Sequence, residues 1–132
     1  MTSKLQVTRL WEHYCWPEGN IPMREMTGQK LLKYPVQPIY VSDHARTVKQ
    51  PTLAWHYGRM RFFYEQLLAG GALDAITVDN VCAGGRIYPE PVLLEGQHRR
   101  AASHLANARL IRASYGGRID LLRYLTGKRR TG

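Results

Sequence analysis

The chain has 132 residues, of which 44% are hydrophobic and 22% charged, as is typical of one globular domain with its own core. No apolar run approaches the roughly 20 residues that span a bilayer, and the first residues lack the apolar core of a secretory signal. We therefore expect a cytoplasmic protein without a membrane partner. The two cysteines, Cys15 and Cys82, are isolated; they indicate neither a disulfide framework nor zinc, and no haem site is indicated either.

The charge is unevenly distributed along the chain. The net charge is +9, yet residues 1–95 carry ten Lys and Arg against nine Asp and Glu. Residues 96–132 carry nine Lys and Arg against Asp120 alone. This asymmetry favours a polyanionic partner, either nucleic acid or a nucleotide, and an unspecific solvated basic face is the equally weighted alternative. The residues expected to bind nucleic acid are Arg109, Arg112, Arg118, Arg123, Lys128, Arg129 and Arg130.

The first half of the chain contains one strong helical pattern. Residues 1–35 show no clean periodicity, and we interpret them as an extension packed on the core, with one short helix closed by a proline. A strand is predicted over 36–43. Over 51–69, apolar residues recur at spacings of three and four, which predicts a helix with its aromatic side chains in the core. The glycine pair at 70–71 ends this helix.

Short strands follow the long helix. The alternation over 75–81 predicts a strand with Ile76 and Val78 on one face. A turn at 82–86 leads to an extended segment whose ordered part runs from Val92 to Glu95.

The last third of the chain predicts a helix from Gln97 to about Ala106, a half-buried strand over 109–115 and a helix over 118–127 that ends at Gly127. The residues expected to face inward are Ala101, Ala102 and Leu105 on the first helix and Ile119, Leu122 and Leu125 on the second. The order of elements predicts an α+β (mixed α/β) fold, a small mixed sheet with packed helices.

The segment LLEGQHRRAA joins a strand to a helix through one glycine, Gly96. Glycine lets the backbone approach a ligand closely, and the first N–H groups of a helix carry partial positive charge. The next four residues add amide, imidazole and guanidinium donors, which suit phosphate. They are Gln97, His98, Arg99 and Arg100. Arginines in a first helical turn oppose the helix dipole, so we predict that a phosphate lies there.

This segment, with its acid-Gly pair, two further residues, an arginine and two small residues, resembles the second conserved box of the ParB N-terminal/sulfiredoxin superfamily. The resemblance covers roughly residues 36–116. It divides the chain into an N-terminal extension (1–35), a ParB/sulfiredoxin-like domain (36–127) and a basic tail (128–132). It implies a nucleoside triphosphate ligand, CTP or ATP with Mg²⁺, whose phosphates contact Gly96, His98 and Arg99.

Three positions differ from the pattern of the superfamily. Gln97 stands where sulfiredoxins have their catalytic cysteine, which excludes sulfinic acid repair. ParB proteins have a magnesium-holding acid there, whose charge Gln97 does not carry. Arg100 stands where an aromatic residue is usual and would add charge beside the pocket, and Ala75 replaces a usual proline. No helix-turn-helix segment follows, so we expect a compact stand-alone member of the kind that phages and plasmids carry.

Two side chains near the box have alternative interpretations. Glu95 is a candidate catalytic or metal-holding carboxylate, or a strand-end acid that balances Arg99. His104 lies off the face of His98 by helical geometry, so we expect it at the surface. The sequence assigns no set of metal ligands.

Two hypotheses about function remain open at this point. The first is a domain that binds nucleotide phosphates at residues 96–100, with weak NTPase or nuclease activity and nucleic-acid association left open. The alternative is a non-enzymatic basic DNA- or RNA-binding or accessory protein of a phage or mobile element. The sequence assigns no oligomeric state.

Overall fold

The computed structural model describes residues 2–11, 21–38, 52–81 and 87–128. Residues 36–38 have no regular secondary structure there. The sequence predictions that lie outside the described residues concern Cys15, Cys82, the turn at 82–86, Arg129, Arg130 and the rest of the strand expected over 36–43.

Nine elements are described, and they form an α+β fold, as predicted. The strands are β1 (Ser3–Gln6), β2 (Ile76–Val81), β3 (Ile87–Glu95) and β4 (Leu110–Tyr115). The helices are α1 (Val7–Trp11), α2 (Gly28–Leu31), α3 (Leu53–Leu68), α4 (Gln97–Leu105) and α5 (Ile119–Leu125). None of these helices has the length and apolar composition that crossing a membrane requires.

The four strands form one mixed sheet in the order β1-β4-β2-β3. β4 is antiparallel to β1 and parallel to β2, while β2 and β3 are antiparallel. Residues 1–35 therefore contribute a strand to the sheet, which the sequence did not predict. The reason is local: Leu5, Val7 and Leu10 are all buried, but their spacing changes from two to three because β1 passes directly into α1.

One face of the sheet forms the main core. Ile76 and Val78 of β2 lie on this face together, as predicted, and are fully buried beside Ile111 and Ala113 of β4. Arg112 and Ser114, which alternate with Ile111 and Ala113 along β4, are exposed. The predicted alternation of this strand is therefore confirmed. The opposite face of the sheet is therefore its polar face.

The helix α5 packs on this core through a face that agrees with the predicted one only in part: Leu122 and Leu125 pack on the core as predicted, and Ile119 does not. Ile119 is 67% exposed, whereas Leu121, Tyr124 and Leu125 are buried; Leu122 is partly buried. Both sets of residues have helical spacing, so the sequence did not discriminate between them. Packing of the helix against the sheet decided it, because Ile119 is the first residue of the helix and lies beyond the area of contact.

A second core lies between α3, α2 and α4. Leu31, Tyr57, Met60 and Ala101 pack together there, which confirms that the pattern over 51–69 is an amphipathic helix. Thr52 caps α3, since its side chain accepts a hydrogen bond from the Trp55 N–H. α4 thus contacts α3, α1 and β2 of the sheet.

Candidate functional site

The site begins at the turn between β3 and α4, where Gly96 has φ 105° and ψ 27°, in the left-handed region. A Cβ atom at this position would collide with the Ile76 side chain of β2. Only glycine meets both conditions, so it lets α4 start immediately after the strand. Because Gly96 has no side chain, it accepts no hydrogen bond from the backbone N–H groups in the first turn of α4. The helix therefore presents these N–H groups at its amino end.

His98 lies in this first turn and contacts a second histidine that the sequence analysis did not single out. The Nε2 atom of His98 is 2.9 Å from the Nδ1 atom of His56 on α3, a hydrogen bond between the two rings. The two ring planes are nearly parallel, 18° apart, and the ring centroids are separated by 5.1 Å, so the rings meet edge to edge. The Trp55 ring lies nearly perpendicular to both of them. The packing of α3 against α4 thus creates a pair of imidazoles, which we call the His56–His98 pair.

The pair is largely removed from water. His56 is 9% exposed, and His98 is partly buried. In a neutral pair one ring nitrogen donates and the other accepts. His56 was missed because 42 positions separate the two residues and nothing near His56 in the sequence points to α4.

Gln97 is also close to the turn. Its side-chain amide donates to the carbonyl oxygen of Leu93 at 3.4 Å, and its side chain is partly buried. Gly96, Gln97 and His98 all lie at the amino end of α4, and their contact with phosphate stays a prediction.

Arg99 is directed toward the protein. One guanidinium nitrogen, Nη1, donates to the carbonyl oxygens of Asp74 and Ala75, both at 3.0 Å. The other, Nη2, is 3.3 Å from Glu95 Oε1. The Arg99 side chain is only 12% exposed, against 72% for Glu95. Of the two interpretations of Glu95, its position agrees with a strand-end acid beside Arg99.

Arg100 lies in the interior of the protein. It is 1% exposed, and its Nη2 atom donates to the carbonyl oxygen of Leu10 at 2.9 Å. Its guanidinium also lies 4.6 Å from the centroid of the Trp11 ring. The expectation that Arg100 adds charge beside the phosphates is therefore corrected: this side chain ties α1 to α4.

His104 is partly buried, which corrects the expectation that it lies at the surface. Its ring stacks on Trp11, with 3.8 Å between the centroids. Burial, and then the positive charge of Arg100, lower the pKa of His104. Helical geometry correctly placed His104 on a different face of α4 from His98. It could not show that Trp11 of α1 covers that face.

The basic residues of the carboxy-terminal third lie on two sides of the sheet. Arg112 is exposed on the polar face of β4, where its Nη2 atom donates to the carbonyl oxygen of Leu73. α5 packs on the opposite face and carries Arg123, which is exposed. The sheet therefore separates these two arginines.

The other basic residues differ in their environment. Arg118, before α5, is paired with Asp120 through two hydrogen bonds, at 3.0 Å and 2.5 Å. Arg109 and Lys128 are exposed. In the sheet, Lys4 of β1 is directly opposite Arg112 of β4, and both are exposed.

Among the described residues, no group of three or more His, Cys, Asp or Glu side chains is arranged to hold a metal ion. A scan against protein-family models, a search of curated proteins and a search of solved structures each gave no match. The resemblance to the ParB/sulfiredoxin superfamily therefore stays a prediction.

Proposed function

We propose that this protein binds the phosphates of a nucleoside triphosphate at the turn between β3 and α4. The observation that carries the proposal is the His56–His98 pair beside left-handed Gly96. Two imidazoles from separate helices meet at the point where a helix presents its backbone N–H groups. Imidazole and backbone N–H donors both suit phosphate oxygens.

In this proposal the phosphate contacts come from Gly96, Gln97 and His98. Arg99 shapes the turn, because its guanidinium holds the carbonyls before β2 and the carboxylate of Glu95. Arg100 anchors α1 and takes no part in binding. This division differs from the one implied by the resemblance, in which Arg99 also contacts phosphate.

The ligand that we propose is CTP or ATP, which enters with the Mg²⁺ that its own phosphates carry. Gln97 brings no negative charge to such an ion, so binding is the primary function in this proposal. Weak NTPase or nuclease activity, with Glu95 as the carboxylate, is a secondary property to be assayed. Because nucleoside triphosphates are intracellular, the proposal also includes the cytoplasmic location expected from the sequence.

Thermal unfolding with each of the four NTPs, with and without Mg²⁺, tests this function. A ligand that binds only the folded state at a hundred times its Kd stabilises it by about 2.7 kcal/mol, which raises the Tm by several degrees. His98→Ala should abolish the shift. His104→Ala is the matched control, a second histidine on α4 that stacks on Trp11, and should retain it. An unchanged Tm of the parent protein with all four nucleotides would contradict the proposal.

The second candidate function is binding of a nucleic-acid backbone on the polar face of the sheet. The specific observation is that Lys4 and Arg112 are directly opposite each other on neighbouring strands. Like charges in this arrangement are destabilising, and a phosphate placed between them would offset the repulsion. Arg109 precedes β4 and is exposed as well.

A salt series of fluorescence anisotropy with labelled DNA and RNA tests the second function. Affinity for a backbone ligand falls as salt rises, with a logarithmic slope of about 0.9 for each phosphate contacted on duplex DNA. Lys4→Glu should weaken binding at low salt and reduce this slope. Arg123→Glu, on α5 across the sheet, makes the same change in net charge and serves as the control. Equal losses in both variants would contradict a site on the polar face.

A further inference from the structure

The geometry of the His56–His98 pair limits how many protons it holds. At 2.9 Å the two facing nitrogens share one hydrogen, which is carried by one ring and accepted by the other. A neutral pair becomes a monocation when one more proton is added to an outer nitrogen, and the shared hydrogen bond is kept. A second added proton would put two N–H groups face to face. The pair is therefore suited to take up one proton, not two.

The charged and titratable side chains on the two helices that carry the pair have contacts of their own. On α3, Arg59 donates to the carbonyl oxygen of Gln37, and Arg61 pairs with Glu65. On α4, the two arginines that follow His98 bond to backbone carbonyls and to Glu95, and His104 stacks on Trp11. The positive charges near the pair oppose its protonation, and an anion at the same turn would favour it.

We infer that phosphate binding at this turn takes up one proton, which the His56–His98 pair holds. This inference rests on the proposed function and deepens it, because it specifies the charge of the ligand group. A pair with one added proton, at the amino end of α4, matches a terminal phosphate with two negative charges better than a phosphodiester with one. The site then selects for nucleotides with a terminal phosphate over the interior of a nucleic-acid strand.

A proton fits the pair better than a divalent metal ion. Zinc binds histidine nitrogens at about 2.0–2.1 Å in tetrahedral geometry, which separates two such nitrogens by about 3.3 Å. The observed 2.9 Å is the length of a hydrogen bond. The amino end of a helix also carries partial positive charge, which disfavours a cation beside His98.

Isothermal titration calorimetry with ATP and CTP, without Mg²⁺, tests the inference. Measurements at about pH 7.5 in buffers with different ionisation enthalpies give the number of protons taken up. At this pH the terminal phosphate, with a pKa of about 6, is already a dianion, so the proton is taken up by the protein. We expect roughly 0.5–1 proton for each nucleotide bound, and an affinity that falls about three- to tenfold between about pH 7 and pH 8.

Two variants and one control assign the proton to the pair. His98→Gln keeps a side-chain N–H that can donate to phosphate, so unlike His98→Ala it should still bind nucleotide. His98→Gln and His56→Gln should each bring the proton uptake close to zero, and His98 is only partly buried, so its variant is available if the His56 variant does not fold. His104→Gln should take up protons like the parent protein. ADP has a terminal phosphate, whereas the one phosphate of a dinucleoside monophosphate is a phosphodiester. Compared at one pH, ADP should bind with proton uptake and the dinucleoside monophosphate should not.

The outcomes separate this inference from the proposed function. Absence of binding by the parent protein to both ATP and CTP, in the absence and in the presence of Mg²⁺, overturns the proposed function itself. Binding with a heat that does not depend on the buffer leaves that function standing and overturns the proton uptake. Uptake that persists in both folded His→Gln variants also overturns the assignment. Stabilisation of the parent protein by Zn²⁺ against thermal unfolding, if both variants abolish it, would also overturn the assignment, because the pair would then be a metal site.

Discussion

Arg99 donates a hydrogen bond from Nη1 to the carbonyl oxygen of Ala75, at 3.0 Å, and so ties the first turn of α4 to the residue before β2. The same nitrogen donates to the carbonyl oxygen of Asp74. An arginine at the amino end of a helix is unfavourable by itself. These two carbonyls and Glu95 provide the negative partners that a bound phosphate was expected to provide.

Arg99→Ala should therefore destabilise the free protein. Hydrogen bonds to a charged group contribute about 1.5–3 kcal/mol. Removing the unfavourable interaction between the arginine and the helix dipole offsets roughly a few tenths of a kcal/mol of this loss. We expect a net loss of about 1–2.5 kcal/mol in the free energy of unfolding, measured by urea denaturation. Arg123→Ala, an exposed arginine on α5, should change it by less than about 0.5 kcal/mol.

The same Arg99 variant also distinguishes its two roles. Below its lower Tm, the folded variant should bind nucleotide with nearly the affinity of the parent protein. A variant as stable as the parent that no longer binds nucleotide would restore Arg99 as a phosphate ligand.

Gly96→Ala should be strongly destabilising, because the position combines φ 105° with a collision between the new Cβ and Ile76. A left-handed conformation and overpacking together cost about 2–4 kcal/mol. Gly70→Ala is the matched control: φ is also positive, at +83°, but no described atom lies within 4 Å of the added Cβ. It should cost only about 1–2 kcal/mol, and equal losses in the two variants would contradict the close approach to β2.

The face of α5 that packs on the sheet can be tested by two truncations. Leu121, which the sequence did not place inward, is 4% exposed, and Ile119, which it did, is 67% exposed. Leu121→Ala should lower the free energy of unfolding by about 2–5 kcal/mol, whereas Ile119→Ala should change it by less than about 0.5 kcal/mol. The reverse order in thermal or urea denaturation would restore the face that the sequence predicted.

Acid should weaken the link between Arg118 and Asp120. The hydrogen bonds from Arg118 lower the pKa of Asp120 to about 2, from 3.8. Because the folded-state value is below the unfolded one, the stabilisation is complete above about pH 4 and is lost as the pH falls toward 2. Asp120→Asn and Arg118→Ala should each remove the same part of the pH dependence of the urea midpoint, and two different profiles would show that the pair does not act as a unit.

The sequence alone predicted the elements whose information is local. The spacing of apolar residues over 51–69 predicted α3, and the alternation of β4 predicted its buried and exposed faces, because each pattern repeats within the element itself. Gly96 between a strand and a helix identified the turn of the candidate site. β1 was missed because four residues that run straight into a helix hold too little of any period.

Only the tertiary structure decided which partners the side chains of that turn have. The sequence placed Arg99 and Arg100 in the first helical turn, but their acceptors are the carbonyls of the loop before β2 and of α1. His98 meets His56 only because α3 packs against α4. Such contacts join residues far apart in the chain, and no local period encodes them: they depend on how the helices and the sheet bury their apolar faces together.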